Sequence, residues 1–171
     1  MKNRERALLV SEKAHAGQSY DIYPYMYHIL QVVKIAEELG YDDTVIVSAA
    51  LHDILEDAAL SYGDILKSFG VEVAEVVYAV TDERGRNRQE RKMKTYPKIK
   101  ANWRAVVVKV CDRIANLEHS REYNKDLFKM YLKESSDFKE NLYFYNEETE
   151  KAWKRLFELI SQTRIKQKND K

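Results

Sequence analysis

A chain of 171 residues that is 44% hydrophobic and 33% charged, with only 5 Gly and 2 Pro, has the composition of one globular, mostly helical domain. Its 29 Lys and Arg against 28 Asp and Glu leave a net charge of +1, which by itself calls for no polyanionic partner. A single cysteine, Cys111, excludes an internal disulfide, and no stretch nears the roughly 20 apolar residues that cross a bilayer. Residues 1–5 lead into no signal-type apolar run, so a cytoplasmic location with no membrane partner is expected.

In chain order, the apolar spacing predicts helices over 3–16, 23–39, 42–55, 61–69 and 71–81. Gly40 and Gly70 read as stops, Asp42 as an N-cap, and Ser61-Tyr62-Gly63-Asp64 as a capping box with Asp in place of Glu. Residues 82–100 form a polar segment with eight basic side chains and little periodicity. A helix over 102–120 follows, then two or three more up to Arg164, and a frayed charged tail over 165–171. The valine-rich runs 71–80 and 105–110 are open to a strand reading. Val73, Val76, Val77 and Val80 nevertheless recur at helical spacing, and so does the pattern through Ile114 and Leu117. No linker or repeat divides the chain, so residues 1–171 are expected to form a single all-α domain. The aromatic C-terminal region, with Tyr143, Phe144, Tyr145, Trp153 and Phe157, is expected to pack into its core.

Two of these nearly apolar helices carry narrow polar stripes. In Ala49-Ala50-Leu51-His52-Asp53-Ile54-Leu55-Glu56-Asp57, an imidazole and three carboxylates interrupt an apolar run. Continuous helix would set His52 over Glu56, and Asp53 over both Glu56 and Asp57. The other stripe is Lys109, Asp112, Arg113 and Asn116, at i, i+3, i+4 and i+7. Polar groups facing an interior must meet another polar group, a ligand or a metal. His28, on the apolar face shared with Val32, Ile35 and Leu39, is a third candidate; alone it reads sooner as a hydrogen-bonded core histidine, and the two stripes are what make it a ligand candidate.

His28, His52, Asp53 and Asp112 together make a mixed nitrogen and oxygen donor set. Without thiolates such a set suits Mn(II), Fe(II), Zn(II) or Mg(II) rather than a structural zinc knuckle. Four protein ligands leave positions for water or a phosphate oxygen. Glu56 and Asp57, one turn further on, are the candidate catalytic pair for proton transfer or for orienting that water. Arg84, Arg86, Arg88, Arg91, Lys92 and Lys94 precede the Asp112 helix and suit phosphate contacts, although charge runs are commonly solvated loops.

The order His28, then His52-Asp53, then Asp112 resembles that of the HD-domain phosphohydrolases. Within them the local motifs resemble the hydrolase domain of RelA/SpoT-type alarmone enzymes and its small single-domain relatives. The carrying segments are His15-Ala16-Gly17-Gln18 with Pro24-Tyr25 and His28; Leu51-His52-Asp53-Ile54-Leu55-Glu56-Asp57; Phe69-Gly70-Val71-Glu72-Val73-Ala74 with Val80-Thr81; and Lys109-Val110-Cys111-Asp112-Arg113-Ile114-Ala115-Asn116. They span roughly residues 7–120. The resemblance implies an all-helical HD bundle, one divalent ion with manganese foremost, a hydrolytic role for Glu56 and Asp57, and a nucleotide site at Asn116.

One stretch departs from that pattern. The first motif is a residue shorter than the family's, and Tyr20 and Asp21 stand where basic side chains contact the guanine base. The expected function is therefore hydrolysis of a nucleotide, of which a 3′-pyrophosphorylated one is an example, with the base left open. Lys109, Arg113, Asn116, Arg88 and Arg91 are the expected substrate contacts. An HD-type 5′-nucleotidase and a non-catalytic nucleotide sensor are the alternatives, ahead of a nucleic-acid-binding module.

Overall fold

The valine-rich run at the centre of the chain is helical because nearly every side of it is covered. In the computed structural model, which describes residues 2–56 and 60–169 (164–169 as backbone alone), it lies in α7, Trp103–Tyr123. Ala105, Val106, Val107, Val108, Val110, Cys111 and Ile114 are all fully buried there. A strand would alternate between two faces, whereas α7 touches α2 (Met26–Glu38), α3 (Asp43–Leu51), α5 (Val71–Val80), α6 (Arg88–Lys100), α8 (Lys125–Lys133) and α10 (Glu147–Asn169) around its girdle. The remaining helices are α1 (Asn3–Ala14), α4 (Tyr62–Phe69) and α9 (Ser135–Leu142). The one sheet among the described residues is a hairpin of β1 (Ser19–Tyr20) and β2 (Tyr23–Pro24). The architecture is all-α.

Local chemistry fixes the starts of the helices that matter. The Asp42 carboxylate accepts from the Val45 amide at 2.9 Å, capping α3, and takes Arg104 Nε and Nη2 of α7 at 3.1 and 2.8 Å. One side chain thus ties the beginning of α3 to that of α7. Ser61 and Asp64 exchange the bonds of the expected capping box before α4. Gly70, at φ 89° and ψ 170°, is both the end of α4 and the start of α5. Only glycine occupies that region without strain, so the two helices meet at a fixed corner.

Several expected boundaries move. α3 stops at Leu51, and 52–56 continue as tight turns closed by Ile54 N to Leu51 O (3.0 Å) and Glu56 N to Asp53 O (3.1 Å). The expected helix from residue 23 starts at Met26, because Tyr23-Pro24 is extended and pairs with Ser19-Tyr20. The segment expected to lack periodicity contains α6, capped by Asn87, whose side chain accepts from Glu90 N at 2.9 Å. Its apolar content is low, but Thr95, Tyr96 and Ile99 are buried. The tail expected to fray from 165 stays helical to Asn169.

At the C-terminal side, α10 seats Trp153 in the core. Its ring centroid lies 5.6 Å from those of Phe138 and Phe157 and 5.4 Å from that of Tyr143. Tyr145 remains largely exposed. No described helix is long and apolar enough to cross a membrane.

Candidate active site

Three elements deliver four ionisable side chains to one point. His28 comes from the first turn of α2, His52 and Asp53 from the turn just past α3, and Asp112 from the middle of α7. Because α3 ends at Leu51, carbonyls of its last turn lack helical partners, and Ala49 O accepts from His52 Nδ1 at 2.8 Å. That bond puts a ring proton on Nδ1 and makes Nε2 the nitrogen that faces inward. His52 Nε2 lies 3.0 Å from Asp53 Oδ2 and 4.0 Å from Asp112 Oδ1. His28 Nε2 lies 3.2 Å from Asp112 Oδ1 and 3.9 Å from Asp53 Oδ2. Nitrogen and oxygen alternate round a ring whose short edges match the separation of about 3 Å between neighbouring ligands held at about 2.1 Å from one ion.

The electrostatics of the ring call for a cation. Burial alone would depress the His52 imidazole, yet Asp53, and then Asp112, lift it to about 9. Burial likewise pushes both carboxyls up, but His52 and then His28 hold Asp53 below the usual range, and Lys109 and then His28 do the same for Asp112. His52 Nε2 is buried and faces Asp53 Oδ2 and Asp112 Oδ1 without a well-aligned hydrogen bond to either. Ligand atoms of His28, His52 and Asp53 lie within 4.8 Å of one another, as metal donors must. The residues present therefore fit a divalent ion.

Neighbours orient the ring. Tyr25 OH donates to Asp53 Oδ2 at 2.6 Å, and Lys109 Nζ lies 3.0 Å from Asp112 Oδ2. Asn116 Nδ2 donates both to the Asp112 carboxylate and to its backbone oxygen, the latter at 2.9 Å. The hairpin brings Tyr20 over the site, stacked on His28 at 4.7 Å, its hydroxyl donating to Asn116 Oδ1 at 2.7 Å. Asp21, at the hairpin tip with φ 56°, is held by His119 Nε2 at 3.2 Å.

The ring opens into a cleft of about 260 Å³. The expected α7 stripe lines it through Lys109, Asp112, Arg113 and Asn116, and α6 faces it with Arg88, Lys92 and Thr95. Glu56 also lines the cleft; burial and the nearby Asp53 raise its carboxyl above the ordinary range, and Oε1 accepts from Asp82 N at 2.9 Å. At the cation-rich wall, Arg88, Lys92 and Arg113 converge on Glu134, at the junction of α8 and α9.

Of the residues expected from sequence, His28, His52, Asp53 and Asp112 come together, and Glu56, Lys109, Arg113, Asn116 and Arg88 share their cleft. Arg91 does not line it. It sits off the 88–92–95 face of α6, with Nε 4.0 Å from Asp82 Oδ2, and Lys92 takes the cleft position instead. Asp57 falls outside the described residues. Glu134 was not among the expected residues: a lone acidic side chain 46 positions from Arg88 gives no local signal of pairing.

A profile of the HD domain family matches residues 7–137. Over 97 residues the chain is 36% identical to the guanosine-3′,5′-bis(diphosphate) 3′-pyrophosphohydrolase of Drosophila melanogaster, covering 55% of this chain and 54% of that one. It is 31% identical over 125 residues to the bifunctional (p)ppGpp synthase/hydrolase SpoT of Escherichia coli, covering 68% of this chain and 18% of that one. A probable GTP diphosphokinase of Arabidopsis thaliana chloroplasts is 32% identical over 122 residues, covering 66% of this chain and 17% of that one. The chain thus spans about half or less of these curated relatives. Among solved structures, a metazoan ortholog of SpoT that hydrolyzes ppGpp superposes with a TM-score of 0.75 at 25% identity, over 92% of this chain and 95% of that one. A Listeria monocytogenes protein superposes with a TM-score of 0.64 at 27% identity, over 80% of this chain and 97% of that one.

Proposed function

The chain belongs to the HD domain family, and from that premise we propose that it is a metal-dependent phosphohydrolase of a nucleotide carrying a 3′-pyrophosphate. The observation that carries the reading is the ring of His28, His52, Asp53 and Asp112 opening into a cleft whose other wall is cationic. A donor ring alone suits any metal protein, and a cation wall alone suits any anion site; a phosphate ester needs both. The similarity to 3′-pyrophosphohydrolases supports the choice of bond.

In this reading the four donors hold one divalent ion, with Mn(II) the first choice and Fe(II), Zn(II) and Mg(II) suited to the same ligands. When bound, the ion supplies polarisation of a phosphoryl oxygen and a more acidic coordinated water. Glu56 takes a proton at its carboxylate oxygens, since burial and Asp53 make it a stronger base than a solvated glutamate. Asp57 is proposed as its partner. Lys109 screens phosphoryl charge from Asp112, while Arg88 and Arg113 hold the substrate by charge-assisted hydrogen bonds. Asn116 binds the nucleoside portion, with Tyr20 beside it in place of the basic side chains that the family uses there. The hydrophobic face of a tyrosine accepts any base, so base preference is broader in this reading. The small cleft suits a nucleotide rather than a nucleic acid. Tyr131, from the C-terminal helices, lines it as well, and Glu134 stands behind its cations, so in this reading those helices belong to the site. A reducing cytoplasm suits the buried free thiol of Cys111.

Replacing Asp112 by Ala tests the assignment. Loss of both turnover and bound metal, in a variant whose circular dichroism is unchanged, is expected. Intact turnover would contradict it.

A further inference from the structure

The cation wall carries more charge than its partner neutralises. Arg88 offers Nε to Glu134 Oε1 at 2.8 Å and Nη2 to Oε2 at 3.3 Å; Arg113 Nη1 lies 3.1 Å from Oε2, and Lys92 Nζ closes on the same oxygen. Three cations against one carboxylate leave two positive charges in excess. Two of these side chains are well buried, Arg113 at 6% and Lys92 at 11% exposure, so water does little to offset them. Lys92 feels the surplus. Burial pulls its ammonium down to about 8, and the repulsion of Arg88 and Arg113 adds to that pull against the attraction of Glu134.

The arrangement is directional. All three cations line the cleft and Glu134 does not, so the carboxylate backs the cluster while its front faces the ligand. The Arg113 guanidinium lies 4.7 Å from the ring centroids of both Tyr131 and Phe138, which fixes its plane. Glu134 caps the junction of α8 and α9, so its own position is set by two helices.

We propose that Glu134 is the internal counter-anion that fixes the charge capacity of this wall, matching Arg88, Lys92 and Arg113 to one dianionic phosphoryl group away from the bond that is cut. The proposal rests on the hydrolase reading only for what the rest of the ligand is; the wall's affinity for phosphate does not depend on turnover. Without Glu134 the excess rises to three, and an incoming dianion meets a stronger field and relieves more repulsion. With Glu134 in place, a ligand of higher charge gains nothing further. Glu134 is thus a specificity-determining residue that acts through the cations rather than by touching substrate.

The test is titration calorimetry of inorganic phosphate into the full chain at pH 7, without added metal, for the natural protein, Glu134→Gln and Glu134→Asp. Glu134→Gln should bind phosphate about tenfold more tightly, the effect of one added charge at short range partly screened by solvent. Its melting temperature should be lower than that of the natural protein in phosphate-free buffer and regain the difference when phosphate is added. Glu134→Asp should keep the original affinity. Equal or weaker phosphate binding by folded Glu134→Gln would overturn the proposal, because neutralising the counter-anion must then have left the field at the wall unchanged. Should Glu134→Gln not fold, Arg88→Gln decides: it should bind phosphate about tenfold more weakly, and unchanged affinity would overturn the proposal. Nucleotide hydrolysis measured in parallel separates the two claims. Charge-dependent phosphate binding without turnover upholds this one and contradicts the hydrolase reading; turnover with phosphate binding indifferent to Glu134 does the reverse.

Discussion

A histidine is a usable ligand only when its other nitrogen is settled, and His52 meets that condition through Ala49 O at 2.8 Å. Its neighbour Asp53 is held the same way from outside, by Tyr25 OH at 2.6 Å. Tyr25→Phe should therefore leave the fold intact but weaken metal binding 10- to 100-fold, read by competition with a chelator; undiminished affinity would remove Tyr25 from the support of the site. Glu134 predicts a pH dependence. Burial would raise its carboxyl, but Arg88 and Lys92 hold it at about 2, below the usual 4.5. A depressed carboxyl contributes stability that is whole above the unfolded value and disappears as pH falls through the folded one, since the unfolded chain binds the proton first. Acid unfolding between pH 4.5 and 2 should thus be less steep in Glu134→Gln than in the natural protein. At this scale the sequence was informative about which side chains share the cleft wherever they sit at helical spacing or in a dipeptide, as with Lys109, Asp112, Arg113 and Asn116. It was silent on Glu134, whose partners are remote in sequence, and misleading at Arg91, one position off the face that meets the cleft.

Elements place those residues, and their ends matter more than their middles. α3 was expected to run through to 55, but stops at Leu51 with no glycine or proline to mark the end. The stop turns His52 and Asp53 towards one point rather than along one helix face. Asp42 at the other end ties α3 to α7 through Arg104. Asp42→Ala should cost about 1–2 kcal/mol in urea unfolding, most of it from the lost cap, because an exposed ion pair adds little. Gly70→Ala should cost about 1–3 kcal/mol by the same assay, because its backbone angles belong to glycine alone. The hairpin and α6 were hidden for opposite reasons. Pro24 does mark extended chain before it, yet the tyrosines around it carry a helical rhythm. α6 has the Asn87 to Glu90 cap that opens a helix, but a surface too basic for apolar periodicity to stand out.

In the whole molecule, α7 is the shared wall: one side belongs to the apolar core, and a narrow stripe on the other belongs to the cleft. The all-α class and the central helix were legible because burial on nearly all sides leaves only a 3.6-residue polar rhythm. How the C-terminal helices close the cleft was not, since it depends on packing of Phe138 and Trp153 far from the motifs. Those helices bring acidic Glu134 and aromatic Tyr131 to a wall otherwise built from α6 and α7. The cleft therefore joins the ring of His28, His52, Asp53 and Asp112 to the wall of Arg88, Lys92 and Arg113, the pairing on which the proposed hydrolysis rests. The measurement that tests this most directly is hydrolysis of guanosine and adenosine 3′-pyrophosphates by chelator-treated protein, with and without added Mn(II), each product identified by mass. The account predicts pyrophosphate release that appears only with the metal. Metal bound at the ring without any such release, or release that persists after chelation, would contradict it.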